Sequence, residues 1–236
     1  MHYHTFKRSL LMAVCLLTAG HSLYAQKIVE RRLEYSPGQK IVFDLPIGKS
    51  IVLHGWDKNE VSLTATIDIN SNRLNEAYQL EVQEGEALTF TADLDEDILK
   101  GGKAIDCGEG KASYVSYNDK EQVVVCAYIH YVINVPRAAI LQLKTISADI
   151  EAKGLEGDTE IKSISGFIDF NWQERQEAEL ALKSITGELY TDLDFDILNK
   201  KDMPQTVGYT LKGQIGDGGR RLALETISSD IYLRKR

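Results

Sequence analysis

Leu141-Gln-Leu-Lys-Thr-Ile-Ser-Ala-Asp-Ile150 is one of four versions of the same phrase in this chain. The others are Thr159-Glu-Ile-Lys-Ser-Ile-Ser-Gly-Phe-Ile168, Leu180-Ala-Leu-Lys-Ser-Ile-Thr-Gly-Glu-Leu189 and Leu222-Ala-Leu-Glu-Thr-Ile-Ser-Ser-Asp-Ile231. Their central isoleucines, Ile146, Ile164, Ile185 and Ile227, lie 18, 21 and 42 residues apart, so the last gap is twice the one before it. A fifth copy is expected near position 206, where Thr206-Val-Gly-Tyr-Thr-Leu211 offers a worn version. Self-similarity at about 20 residues marks stacked β architectures, in which each unit buries its apolar face on the next.

The phrase has an internal grammar. Counting its first residue as position 0, the apolar positions 0, 2, 5 and 9 are expected to be buried, as in Leu141, Leu143, Ile146 and Ile150. Side chains alternate faces along a strand, so an odd step must switch the inward face from one parity to the other. Each unit is therefore expected to hold a corner or bulge beside its Thr/Ser-Ile pair. Position 7 is always small (Ala148, Gly166, Gly187, Ser229), as a crowded interior or tight bend requires. The expected fold class is all-β, with a stacked, β-solenoid or β-helix-like array in the C-terminal part. An antiparallel sandwich or prism remains the alternative, because a period alone does not distinguish the two.

Outside the phrase, strand and turn patterns continue. Lys40 to Leu45, Ser50 to His54, Val61 to Ile69, Tyr78 to Gln83, Ala87 to Ala92 and Val123 to Val135 are rich in Val, Ile, Leu, Thr and Tyr. Ser36-Pro-Gly38, Pro46-Ile-Gly48 and Asp217-Gly-Gly219 punctuate them. Short helices are expected only around 72–78 and 173–178. Residues 26–135 show no clear copy of the phrase and are read as an irregular β region or cap. The regular array is taken as 136–236, after the break at Pro136.

The N-terminus carries an export signal. Lys7 and Arg8 precede the apolar run Leu10 to Leu17, and Ser22-Leu-Tyr-Ala25 ends on a small residue, as for a signal peptide over 1–25. Cys15 does not make a lipoprotein site, because Val14 stands where a small residue is required and Leu16 and Leu17 prolong the apolar run. No later stretch is long enough for a membrane helix. The expected location is the periplasm, the cell surface or the extracellular medium. Of 236 residues, 211 remain after cleavage, enough for a sizeable core. Losing two positive charges takes the net charge from −8 to −10, which disfavours nucleic acid as a partner.

Several residues carry a family likeness. Tyr131-Val-Ile-Asn-Val-Pro136 leading into the first phrase, the Ser-Ile-Ser-Gly and Ser-Ile-Thr-Gly units, and Val52-Leu-His-Gly-Trp-Asp-Lys-Asn-Glu-Val61 resemble the adhesin-like family of bacterial β-repeat envelope proteins of the DUF4097 type. The leader ending Tyr24-Ala25-Gln26 looks like those of secreted Bacteroidetes proteins. The resemblance implies an envelope protein with no defined catalytic or binding residues to carry over. Two copies depart from the usual glycine of the phrase, with Ala148 and Ser229 in its place.

Candidate chemistry is sparse. Cys107 and Cys126 are the cysteines left after the leader, and in an oxidising compartment such a pair is expected to be a disulfide, the other reading being two free thiols. His54 and His130 are far apart, each in a strand pattern, with no zinc spacing. Asp192, Asp194 and Asp196 alternate with Leu193, Phe195 and Ile197, which on a strand would line one face. That row is a weak calcium candidate and the best available for a glycosidase pair, and Asp93, Asp95 and Asp97 form a second row. No nucleophile elbow, phosphate loop or His-Glu-x-x-His occurs. The expected function is a non-enzymatic adhesin or scaffold that presents a β ladder to a glycan or an envelope protein and needs no cofactor. Trp56, Trp172, Tyr190, Tyr209 and Tyr232 are candidate contacts. The alternative is a polysaccharide lyase or hydrolase acting through the surface carboxylates.

Overall fold

The computed structural model describes residues 26–107, 114–118, 121–173, 176–200 and 208–235. The leader at 1–25 lies outside them, as do Thr206 and Val207. The first half forms β1 (Lys27–Glu34), β2 (Lys40–Asp44), β3 (Ser50–Trp56), β4 (Glu60–Ile69), β5 (Tyr78–Gln83) and β6 (Ala87–Leu94). A hairpin of β7 (Tyr114–Asn118) and β8 (Glu121–Val125) precedes β9 (Ala127–Pro136). The second half forms β10 (Ile140–Lys144), β11 (Asp149–Lys153), β12 (Thr159–Lys162), β13 (Ile168–Trp172) and β14 (Ala178–Ser184). It ends with β15 (Leu189–Thr191), β16 (Asp196–Ile197), β17 (Leu211–Ile215), β18 (Arg220–Thr226) and β19 (Ile231–Lys235).

Two large mixed sheets result, in the orders β1-β4-β9-β3-β11-β13-β19-β15 and β16-β17-β14-β18-β12-β10-β2-β6-β5, and neither closes into a barrel. We call them the first and second sheet. Each phrase puts one strand in the second sheet, turns a corner and puts its next strand in the first. Like strands of successive units pair in parallel: β10 with β12, β12 with β18 and β18 with β14 in the second sheet, β11 with β13, β13 with β19 and β19 with β15 in the first. Antiparallel pairing is found at the sheet margins, where β1 joins β4, β4 joins β9, β5 joins β6 and β17 joins β14.

The N-terminal half does contain a copy of the phrase. β2 and β3 pair in parallel with β10 and β11, Ile41 with Leu141, Phe43 with Leu143 and Ile51 with Ile150. Leu45-Pro46 replaces the Thr/Ser-Ile pair and one extra residue, Lys49, precedes the second strand, which hides this unit from a string comparison. In space the units run 40–56, 140–153, 159–172, 220–235, 178–191, so the last in sequence sits between the third and fourth. The expected fifth copy is different: Leu211 opens β17, which runs antiparallel along β14.

The phrase turns where expected, but its burial differs. Positions 0 and 2 are buried, and so is the hydroxyl at position 4: Thr145, Ser163, Ser184 and Thr226 are at most 9% exposed. Three of the four isoleucines at position 5 are outside, with Ile146 at 49%, Ile164 at 42% and Ile227 at 38% exposure, and Ile185 is half-buried. The parity switch lies between positions 4 and 7, because the hydroxyl completes the corner. Ser163 Oγ accepts from Gly166 N and Ser184 Oγ from Gly187 N, both at 2.9 Å, satisfying backbone that the bend removes from the ladder. The isoleucine backbones link neighbouring corners, as in Ile146 N to Pro46 O at 3.0 Å and Ser165 N to Ile146 O at 2.8 Å.

Between the sheets the inward side chains make one core spanning both halves of the chain. Phe43 stacks on Phe90 with centroids 4.8 Å apart, and Phe170 packs near Trp172. Of the expected short helices, that around 72–78 takes the form of a 3-10 turn at Asn75–Ala77, and that around 173–178 lies partly outside the described residues, with Ala178 beginning a strand. A single helical turn at Glu96–Leu99 lies at neither expected position.

Candidate functional site

Outward positions of the first sheet form rows across strands, since parallel neighbours in register place equivalent residues side by side. One row runs Asn134, His54, Lys153, Asn171, Arg234 over β9, β3, β11, β13 and β19. At its end the sheet surface opens into a groove of about 520 Å³. His54, Gly55 and Trp56 line it from β3, Asn134 and Arg137 from β9 and the turn after it, Lys153 and Gly154 from the end of β11 and the residue after it, and Asn171, Trp172 and Gln173 from the end of β13 and the residue after it. Two glycines let the strands close up here: a Cβ on Gly55 would lie 1.8 Å from the carbonyl oxygen of Gly154, whose own φ is +71°.

The groove's charge differs from that of the chain. It holds Arg137, Lys153 and His54 and no carboxylate, in a protein with 35 acidic and 27 basic residues. Arg137 is held by Asp57 at 2.8 Å and by the Gly154 carbonyl. Lys153 is exposed. Burial, then the charge of Lys153, push the His54 imidazole below its ordinary 6.5, with Glu151 opposing, so His54 is neutral at pH 7. His54 Nε2 and Asn171 Oδ1 are buried without a hydrogen-bond partner. Trp172 is braced from beneath by Arg220, whose guanidinium lies 4.4 Å from the ring centre and donates to Leu155 O and Gln176 Oε1 at 2.6 Å. Burial brings Arg220 down to about 10, which leaves it charged at neutral pH.

A second feature lies at the β15 edge of the same face. Tyr190 stacks on Tyr232 at 5.1 Å and 10°, and Phe167 meets Tyr232 edge-on at 6.2 Å. Arg234 covers Tyr232 at 4.9 Å and pairs with Asp169 at 3.1 Å. Glu188 and Asp230 accept from the tyrosine hydroxyls and raise both phenols, Tyr190 to about 12. The opposite face, on the second sheet, is a charge ladder in which Lys162 and Lys183 flank Glu225 at 3.8 and 2.8 Å.

The carboxylate rows do not assemble into sites. Asp192, Asp194 and Asp196 are all exposed while Leu193 and Phe195 pack on the core, but only Asp196 lies in a strand. Asp192 Oδ1 accepts from Lys235 N at 2.6 Å, and none of the three lines the groove. Asp95 caps the turn at Glu96–Leu99 by accepting from Asp97 N and Ile98 N, and Asp97 pairs with Lys100. Within that row Asp95 is a helix cap, and Asp93 accepts from Leu94 N in β6. Among the described residues no three Asp, Glu, His or Cys side chains are placed to hold a metal ion. Cys107 and Cys126 form a disulfide with Cα atoms 5.6 Å apart. His130 Nδ1 lies 2.8 Å from Ser50 Oγ, and the Tyr209 hydroxyl donates to Asn199 O, away from both features. Of the five aromatic candidates, Trp56 and Trp172 reach the groove, and Tyr190 and Tyr232 form the stack. In the sequence His54 stands out only as an isolated histidine, and Lys153, Asn134 and Asn171 escape notice, because 117 residues separate His54 from Asn171 and only the parallel stacking unites the four.

No family model and no curated protein matches this chain. Among solved structures it is similar to a "putative cell adhesion protein" from Clostridium sporogenes, at 9% identity over 90% of this chain and 100% of that one, with a TM-score of 0.51. It is also similar to a "putative adhesin" from Bacteroides fragilis, at 10% identity, 89% and 98% coverage and a TM-score of 0.24. A "putative lipid binding protein" from Parabacteroides distasonis follows at 12% identity, 89% and 97% coverage and a TM-score of 0.23. The likeness to the Clostridium protein is one of fold along nearly the whole described chain.

Proposed function

We propose that this chain is an exported, non-enzymatic envelope protein of the adhesin-like, DUF4097 type, folded as a flattened β-solenoid whose first-sheet outer face binds a glycan or a protein. The observation that carries the reading is that face itself, where an acid-free groove and an exposed tyrosine stack lie on one rigid sheet. Rigid presentation lowers the ordering cost of binding, and aromatic rings beside polar side chains are the usual composition of recognition surfaces. The fold shared with a protein named for cell adhesion points the same way. The exposed aspartates do not converge on the groove, so a polysaccharide lyase or hydrolase gains no support from them.

The test is binding by purified residues 26–236 on a glycan array and against purified envelope proteins. Saturable binding that weakens in a Tyr190→Ala/Tyr232→Ala or Lys153→Glu variant is expected. Absence of any saturable ligand, or binding that survives both variants undiminished, would overturn the assignment of this face.

A further inference from the structure

Resting on that reading, we infer that the groove is a subsite for a carboxylated sugar, with Lys153 facing the carboxylate beside the Asp57-paired Arg137 and His54 and Asn171 meeting ring hydroxyls. Three observations converge on this chemistry. The groove is lined by Lys153 and Arg137 and by no acid on a strongly acidic chain, and with Arg137 paired to Asp57 outside the lining, the exposed Lys153 supplies the local attraction for an anionic group entering it. Its volume of about 520 Å³ falls in the range of small-ligand sites, enough for a short stretch of oligosaccharide.

The third observation separates a sugar acid from a bare anion. Asn171 Oδ1 lacks a donor and His54 Nε2 lacks any partner. An ionised carboxylate only accepts, so it leaves Asn171 Oδ1 unmatched, whereas a sugar hydroxyl both donates and accepts. The terminal torsions of Asn and His are broad, which lets an arriving ligand reorient either side chain. Asn171 Nδ2 holds Ala152 O at only 3.4 Å, a weak restraint on that reorientation. The neutral state of His54 also suits it to a hydroxyl. Trp56 adds an apolar flank, fixed by donation from Nε1 to Glu60 O at 2.8 Å and covered by Lys58 at 4.6 Å.

The experiment is calorimetric titration of residues 26–236 with tetragalacturonic acid, its methyl ester, neutral galactotetraose, poly-L-glutamate and inorganic phosphate. The His54 ring signal is followed by NMR in parallel. Tetragalacturonic acid is expected to bind saturably and shift His54, while the ester and the neutral tetrasaccharide bind at least tenfold more weakly. Reversing the charge at exposed Lys153 with Lys153→Glu is expected to weaken binding about tenfold or more. Lys162→Glu, on the opposite sheet face, should leave it unchanged. Equal binding of the ester or the neutral sugar would overturn the carboxylate assignment, and equal binding of poly-L-glutamate or phosphate would overturn the sugar. A ligand found on the array whose binding ignores Lys153→Glu and leaves His54 unshifted would sink the groove subsite while leaving the adhesin-like reading intact. No ligand of any class would sink both.

Discussion

At the scale of single residues, the corner of the phrase shows how a buried hydroxyl can displace an apolar side chain. Ile146, Ile164 and Ile227 are outside because the bend needs an acceptor at position 4 more than it needs another methyl group inside. Once Ser or Thr turns inward to bond position 7, the following residue must face out. The small residue at position 7 follows a second rule, invisible in sequence order. In spatial order the corners read Gly48, Ala148, Gly166, Ser229, Gly187, so residues with and without a Cβ alternate up the stack. A Cβ on Gly166 would lie 1.7 Å from Ala148 O, and one on Gly187 would lie 2.0 Å from Ser229 O. Gly166→Ala must therefore push apart two hydrogen-bonded units whose backbone cannot yield. A loss of roughly 2–4 kcal/mol is expected in urea unfolding. An Ala variant within about 0.5 kcal/mol of the parent would show that the corner is looser than its geometry.

Among the elements, the repeat was legible and its order was not. Four phrases with buried positions 0 and 2, and position 9 buried in all but the half-buried Leu189, announce strand, corner and strand, because alternation and turn chemistry are local properties. Which unit lies beside which is a long-range matter, and spacing alone suggested a simple succession. Instead β18 pairs with both β12 and β14, and β19 with both β13 and β15. The doubled gap before Ile227 is the path the chain needs to pass along β15, β16 and β17 and return into the stack. The groove shares this limit, since His54, Asn134, Lys153 and Asn171 belong to four strands whose adjacency only the fold declares.

Intercalation also changes what truncation does. In a coil that grows in sequence order, removing the last unit shortens the stack by one layer. Here a chain ending at Gly219 loses an interior layer, leaving Thr159, Ile161, Ile168 and Phe170 without their neighbours Leu222, Leu224, Ile231 and Leu233. Loss of the cooperative thermal transition is expected by circular dichroism. A chain starting at Tyr35 loses the edge strand β1, whose one strand partner among the described residues is β4, and should keep that transition. If the chain ending at Gly219 melted within a few degrees of the full-length protein, the position of β18 and β19 would be wrong.

For the molecule as a whole, the disulfide ties local geometry to overall stability. Asn70 is fully buried with φ +51°, accepts from Cys126 N at 3.0 Å and donates from Nδ2 to Val124 O at 2.9 Å. This short polar network ties the turn after β4 to the start of β9, and the bond from Cys126 to Cys107 anchors the segment holding the helical turn. Cross-linking residues 19 apart restricts the unfolded chain enough to contribute about 3 kcal/mol. For a domain of this size that corresponds to roughly 6–12 °C in Tm. A Cys107→Ser/Cys126→Ser variant, or the reduced parent, should melt lower by that amount. Its groove should be unaltered, because no groove residue touches the bonded pair among the described contacts. The oxidised protein from an exporting host and the reduced protein from the cytosol should therefore differ in Tm and agree in ligand affinity. A difference in affinity without one in Tm would place the bond's role at the binding face instead of in the unfolded chain.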